Sequence, residues 1–264
     1  MEVHHHAHTE SPPAGRAGKK WTHYFWEFFM MFLAVFLGFL AENQREHIVE
    51  HKRAKEYAKG LLSDLRNDIA DLRRASFYLK TANNTIDSLV ELEKDKDMLK
   101  KGGKLYYYFR LAGWGYEVDW NKATINQLIN SGNLRYFTNT QLTNAVSLYN
   151  TTANTISGFD KVMESARERV AVYRDAIVNS QYNFLFFRFN MDDLYQGTNG
   201  EFIDSLKNIS IPLFSNDPDL LNKHANALMG LKGNRSLLVA KFFPKATKQA
   251  EEIMELLKDE YRLK

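Results

Sequence analysis

From Trp21 to Ala41 the chain is almost continuously apolar, and Phe28–Ala41 carries no charge. As a helix this stretch is ~30 Å long, the thickness of a bilayer's hydrocarbon core. Trp21, Tyr24 and Trp26 at its start suit the headgroup zone. A cleaved signal peptide needs small residues before the cut, and Phe39 would occupy the −3 position for cleavage after Ala41. The pattern therefore predicts an uncleaved transmembrane signal anchor at 21–42, preceded by a flexible His-rich tail at 1–20. Two stripes run along it at helical spacing. Phe25, Phe29, Phe32, Phe36 and Phe39 form a bulky one; Glu27, Met31, Ala34, Gly38 and Ala41 form a smaller one, whose Ala34 and Gly38 permit close approach of a second membrane helix. Glu27 reads as a headgroup contact, as a polar contact to a partner helix, or as a proton-carrying group.

Beyond the span the period stays helical, and residues 43–264 read as one helical bundle domain. Ala58, Leu62, Leu65, Ile69, Leu72, Leu79, Ile86 and Leu89 follow an approximate heptad, predicting a long helix over 43–97. Its first turns, 43–59, are polar nearly all round and read as a solvated stalk. A short helix is predicted at 119–131, with Asp119 as N-cap and Ser131-Gly132 as stop. Thr138-Asn-Thr-Gln141 has the capping-box spacing. It opens a helix over 139–179 whose face is Leu142, Val146, Tyr149, Ala153, Ile156, Phe159, Met163, Ala166, Val170, Tyr173 and Ile177. Residues 181–214 are aromatic and irregular. The last helix, 219–262, carries Leu221, Ala225, Leu228, Arg235, Leu238, Phe242, Ala246, Ile253, Leu256 and Tyr261, with a break or kink expected near Gly230, Gly233 or Pro244. Such stripes are all buried in an all-α fold: one N-terminal transmembrane helix continuing into an elongated antiparallel helical bundle.

Composition agrees and adds exclusions. No proline lies between Pro13 and Pro212, which favours long helices. The absence of cysteine removes disulfides, thiolate nucleophiles and Cys-ligated metals. A formal charge of +3 over 264 residues gives no compositional support to nucleic-acid binding. Basic residues lie on both sides of the span: Arg16, Lys19 and Lys20 before it, Arg45, Lys52, Arg53, Lys55 and Lys59 after it. A bare count places the C-terminal side in the cytoplasm. A short tail with adjacent lysines ahead of a large domain is instead the usual layout of a signal anchor, and on that ground the domain is expected outside.

Chemistry-bearing groupings are few. His4, His5, His6 and His8 could chelate a divalent metal but sit in a tail that nothing preorganises, so no metal and no cofactor is assigned. His47-Ile-Val-Glu50-His51 spells the inverted zinc-protease pattern, yet on a polar stalk with no third ligand in view. Tyr106, Tyr107, Tyr108, Trp114, Tyr116 and Trp120 gather around Gly113 and Gly115, either as a cap on the bundle's end or as an exposed patch for a partner. Tyr182–Phe189 reads as a similar, more buried set. Ser131-Gly132-Asn133 lacks phosphate-loop spacing and reads as a helix stop.

The opening Met-Glu-Val-His-His-His-Ala-His and the run from Lys19 to His47 resemble a Bacteroidetes family of single-span membrane proteins catalogued as a domain of unknown function. Asn121–Arg135 and the closing Leu257–Leu263 are similar as well. The resemblance covers most of the chain. It implies an inner-membrane anchor, a periplasmic helical domain and no assigned activity, and it brings no catalytic residues. The expected role is a membrane-anchored scaffold or accessory subunit that is not an enzyme. Its partners would be the lipid bilayer and another membrane protein or a second copy. A ligand-sensing bundle and a subunit of a proton-driven assembly using Glu27 are the alternatives.

Overall fold

The computed structural model describes residues 17–95, 97, 102–187, 193 and 200–263. Regular structure among these residues is helical, with no strand. The chain forms two compact units, Met1–Arg53 and Ala54–Lys264. Helix α1, Ala17–Glu93, contributes to both.

In the first unit the side chains from Trp21 to Ile48 are exposed on every face, Leu33 alone being partly covered. The largely apolar surface of residues 21–41 is thus left uncovered by protein. Among the described residues, one helix is long and apolar enough to cross a membrane.

Three long rods build the second unit: the 54–93 part of α1, α4 (Thr140–Ile177), and α7 (Pro218–Leu237) continued by α8 (Phe243–Tyr261). Between them lie α2 (Gly102–Ala112), α3 (Ala123–Asn130), a 3₁₀ turn at Asn133–Tyr136, α5 (Ser180–Phe187) and α6 (Gly200–Lys207). The α7–α8 rod runs against α1, since Glu93 meets His224, Asp87 meets Lys232 and Asn83 meets Ser236. It also runs against α4, since Phe159 packs on Phe242 and Phe137, just ahead of α4, packs on Tyr261. Hence α1 and α4 run in the same sense, and residues 102–139 carry the chain back between them.

The heptad predicted for α1 is buried at each of its eight positions. Neither Gly60 nor the Asn83-Asn84 pair interrupts the helix, which ends at Glu93, four residues before the predicted Asp97. Helix α4 is capped by Asn139, whose side chain accepts from the amides of Gln141 and Leu142. The capping box had pointed to Thr138, one residue early. Gly132, at φ 65°, turns the chain out of α3 in the left-handed region, as expected of a stop.

Helix α2 is absent from the sequence expectation. Gly102-Gly103 reads as a breaker, yet both residues lie at the start of the helix because the backbone of residues 206–211 crosses there. A Cβ at Gly102 would overlap the Ile211 carbonyl, and one at Gly103 the Leu206 carbonyl oxygen. Helices α5 and α6 likewise occupy part of the stretch expected to be irregular.

The expected break in the last helix is a π turn at Leu238–Phe242, with the Phe243 amide donating to the Leu238 carbonyl. Pro244 has no amide to give and its ring would crowd the carbonyl four residues back, so the turn widens just ahead of it. This shifts the register. Leu221, His224, Leu228, Leu231, Arg235 and Leu238 are buried at steps of three and four; the next buried residue is Phe243, five on, followed by Ala246, Ala250, Ile253, Leu257 and Tyr261. Phe242 and Leu256, expected on the buried face, are therefore only partly covered.

Candidate functional site

Glu27, Met31, Ala34, Gly38 and Ala41 are all exposed on α1, and nothing lies within 4 Å of where a Gly38 Cβ would stand. Glu27 Oε1 sits 3.3 Å from His23 Nε2, one turn earlier. Sequence reasoning missed this pair, although its i,i+4 spacing was visible. The Glu27 carboxylate thus has a polar neighbour on its own helix.

The six aromatics do not gather in one exposed patch. Tyr106 is buried; its hydroxyl donates to the Pro212 carbonyl at 3.1 Å and accepts from the Asn179 amide at 2.7 Å. Tyr107 lies under the Lys207 ammonium, 4.3 Å from its ring centroid, and Tyr108 packs edge-on to Tyr107. Trp114 and Tyr116 close on Tyr78 at 5.4 and 5.3 Å, and Trp120 on Tyr149 at 6.2 Å. The latter three lie along the flank of α1, not at an end of the bundle.

They belong to an extended strap, residues 113–122, fastened to α1 by Asp71 and Asp68, while Asp64 holds the first turn of the helix that follows. Asp71 accepts from the Tyr116 hydroxyl (2.6 Å), the Asp119 amide (2.7 Å) and Arg74 (3.1 Å). Asp68, only 2% exposed, accepts from the Asn121 amide (2.7 Å), the Asn121 side chain (3.1 Å) and the Tyr149 hydroxyl (2.6 Å). Asp64 accepts from the Thr124 amide at 3.1 Å. This last contact explains a departure from expectation. Helix α3 begins at Ala123, not after Asp119, and has no side-chain cap of its own. The Asp119 and Asn121 amides are drawn out to α1, and Asp64 satisfies an orphan amide of the first turn from outside. Burial, then the charge of Asp68, raises the pKa of the Tyr149 phenol; burial and hydrogen bonding to Asp71 do the same to Tyr116. Both hydroxyls therefore stay donors.

On its other edge the strap borders an open cleft of about 330 Å³. Arg110 from α2 and Arg167 and Arg174 from α4 line it, together with Gly113, Gly115 and Glu117. Arg167 and Arg174 are two turns apart and share a face of α4. Arg167 meets Glu117 at 3.2 Å, and Arg174 meets its neighbour Asp175 at 2.8 Å. Behind the loop, the fully buried Arg235 donates to the Ala112 carbonyl at 2.9 Å and to the Trp114 carbonyl. The sequence pattern places Arg235 on the buried face without a role and gives no connection among the other three arginines.

Glu93 and His224 form a second buried polar pair, Oε1 to Nδ1 at 2.6 Å, packed against Phe109. His47 and His51 are exposed, and no group of three or more potential ligands gathers among the described residues. His4, His5, His6 and His8 lie outside the described residues. No protein-family model, curated protein or solved structure matches this chain.

Proposed function

We propose that this protein is a single-pass inner-membrane protein whose N-terminal helix anchors a periplasmic helical module, and that it works through protein contacts as a scaffold or accessory subunit. The observation that carries this reading is the all-round exposure of an apolar helical surface from Trp21 to Leu40. The second unit, in contrast, buries its apolar stripes into one core. Lipid covers the bulky phenylalanine face, and the face of Met31, Ala34, Gly38 and Ala41 meets another membrane helix. The resemblance to uncharacterised single-span proteins and the short lysine-bearing tail ahead of a large domain support the location. His23, one turn from Glu27, gives the carboxylate a polar neighbour at the start of the span.

The test is association in native membranes. Ala34→Leu and Gly38→Leu should each reduce chemical crosslinking of the full-length chain to its membrane partner or second copy, whereas Phe36→Leu should leave it intact. Equal crosslinking in all variants refutes the contact face. Protease added to sealed vesicles of known sidedness should digest the region after residue 53 from the periplasmic side; digestion from the other side reverses the orientation.

A further inference from the structure

From Thr138 to Phe159 the chain has no Asp, Glu, Lys, Arg or His, although charged residues make up 25% of the whole. One side of α4 in and just beyond this run faces solvent. Gln141, Asn144, Leu148, Thr151, Thr155, Gly158 and Val162 are exposed at steps of three and four, a neutral stripe ~32 Å long. Leu148 and Val162 are 52% and 47% exposed. The Thr151 and Thr155 hydroxyls are spent on the helix itself, donating to the Ser147 and Thr151 carbonyls at 3.0 and 2.9 Å, so covering them costs little. A solvated helix face ordinarily carries charge, whereas the centre of a protein interface is depleted of it. Beside this stripe runs a row of two opposite halves. Lys241 in the π turn and Lys245, Lys248, Glu252, Glu255 and Asp259 on α8 recur at steps of four and three, and all six are exposed. The row is basic up to Lys248 and acidic from Glu252. Gln249 and Glu252 share a groove of about 390 Å³ with Gln141, Asn144, Ala145 and Leu148, so stripe and row border one surface.

We propose that a second copy of this chain covers that surface, antiparallel, with α4 on α4 and α8 on α8 about a two-fold axis passing near Thr151 and Ala250. Turned end for end, the row is its own complement: Lys241 meets Asp259, Lys245 meets Glu255 and Lys248 meets Glu252 of the second copy, and the symmetry makes each pair twice. A parallel pairing of the same row sets Lys on Lys and Glu on Glu, which like-charge repulsion opposes. The middle of the row lies next to Gln249, across the groove from Leu148, and Thr151 is the middle of the stripe, so one axis serves both helices. The neutral stripe supplies the area and the charged row sets the orientation. Two helix widths over ~30 Å give ~600 Å² on each copy, or ~1,200 Å² in all, the lower bound of a specific interface. The contact uses the second unit alone and does not rest on the membrane reading. Its axis, perpendicular to α4 and α8, can stand along the normal of a membrane that holds both copies.

The test is sedimentation of the full-length chain in non-ionic detergent, carried out on Gly38→Leu so that contact through the span does not contribute. A dimer with a dissociation constant at or below about 10 μM at low salt is expected, weakening as salt is raised. Lys245→Glu with Lys248→Glu should weaken it at least tenfold, and Glu252→Lys with Glu255→Lys should do the same. An equimolar mixture of these two double variants should recover the dimer, because each row then faces its opposite. All four positions are exposed, so the variants should keep the parent's helical circular dichroism. The chain has no cysteine, and introduced ones report the register. Thr151→Cys, next to the axis, should form disulfide-linked dimers by itself; Gln141→Cys should do so only when mixed with Val162→Cys, from the other end of the stripe. Three results overturn the inference: a monomer throughout the micromolar range, no recovery on mixing the double variants, or Gln141→Cys linking to itself as readily as Thr151→Cys. Membrane crosslinking that is indifferent to Gly38→Leu counts against the contact face on the span alone, so the two readings fall separately.

Discussion

The contact between Asp68 and Tyr149 joins α1 to α4 at the point where the strap is also fastened, and its energy can be worked from the geometry. Tyr149 donates at 2.6 Å to a carboxylate that receives two further bonds from Asn121. Tyr149→Phe removes one hydrogen bond to a charged acceptor and leaves a buried oxygen short of a donor, a loss of about 2–3 kcal/mol. Asp68→Asn keeps the shape. Its carbonyl oxygen still accepts from the Asn121 amide, and its NH₂ can donate to the Tyr149 oxygen, so about 1–2 kcal/mol is lost through the missing charge. In the Asp68→Asn background the phenol bond is a neutral one, and removing it costs only about 1 kcal/mol. The double-mutant cycle should therefore show about 1–2 kcal/mol of coupling. Chemical unfolding of the full-length chain in detergent, followed by circular dichroism and by tryptophan fluorescence, measures all four corners; Trp120, against the Tyr149 ring, reports locally. Additivity to within about 0.3 kcal/mol would falsify the claim that the phenol and carboxylate act as a unit.

Further tests follow from the same packing. Because burial and Asp68 hold Tyr149 protonated in the folded state, its contribution is complete below about pH 10 and is lost as pH climbs above that value, where only the unfolded phenol ionises. Stability of the parent chain should fall by about 1.4 kcal/mol per pH unit more steeply than that of Tyr149→Phe above pH 10; parallel curves in a pH series of unfolding midpoints would contradict the assignment. Gly103→Ala should cost about 2 kcal/mol or more, through overlap with the Leu206 carbonyl, whereas Gly233→Ala, facing open space inside α7, should gain about 0.5–1 kcal/mol. Thermal melts that rank the two alanines in the other order would refute the packing at α2.

Much of the fold was legible because periodicity reports burial directly. The α1 heptad and the α4 face were read position by position, with Phe159 and Tyr173 half-buried and the rest of the α4 face fully buried. The exposed apolar span needed no partner to be read. What escaped were features decided by tertiary contact. Nothing local distinguishes Gly102-Gly103 as a breaker from Gly102-Gly103 as the seat of a crossing backbone, so α2 was missed. The π turn at Leu238–Phe242 moved the last register by one residue, and a constant period cannot anticipate a five-residue step. Pro244 marked the place but not the form. Of the candidate site residues, the stripe on the span was visible in the sequence, while the arginine-lined cleft was not: Arg110 and Arg167 are far apart in the sequence and come to line one cleft only in the fold.

The strap also explains why three aspartates can sit on the buried side of α1. An extended segment next to a helix has no ladder to satisfy its amides, and a buried amide without an acceptor costs about as much as a lost hydrogen bond. Asp64, Asp68 and Asp71 recur at steps of four and three, so their carboxylates line one edge of α1 and take the amides of Thr124, Asn121 and Asp119 in reverse order. The helix thus acts as a template for a backbone running antiparallel to it. Each carboxylate gains charge-assisted bonds that offset its burial, and the Asp119, Asn121 and Thr124 amides gain acceptors. The consequence reaches the opposite edge. Tyr116, fixed by Asp71 and stacked on Tyr78, lies between Gly115 and Glu117, the two strap residues that contact Arg167 or leave room for it. The rim of the cleft is therefore set by the same carboxylates that dock the strap, so its backbone is held in place by α1.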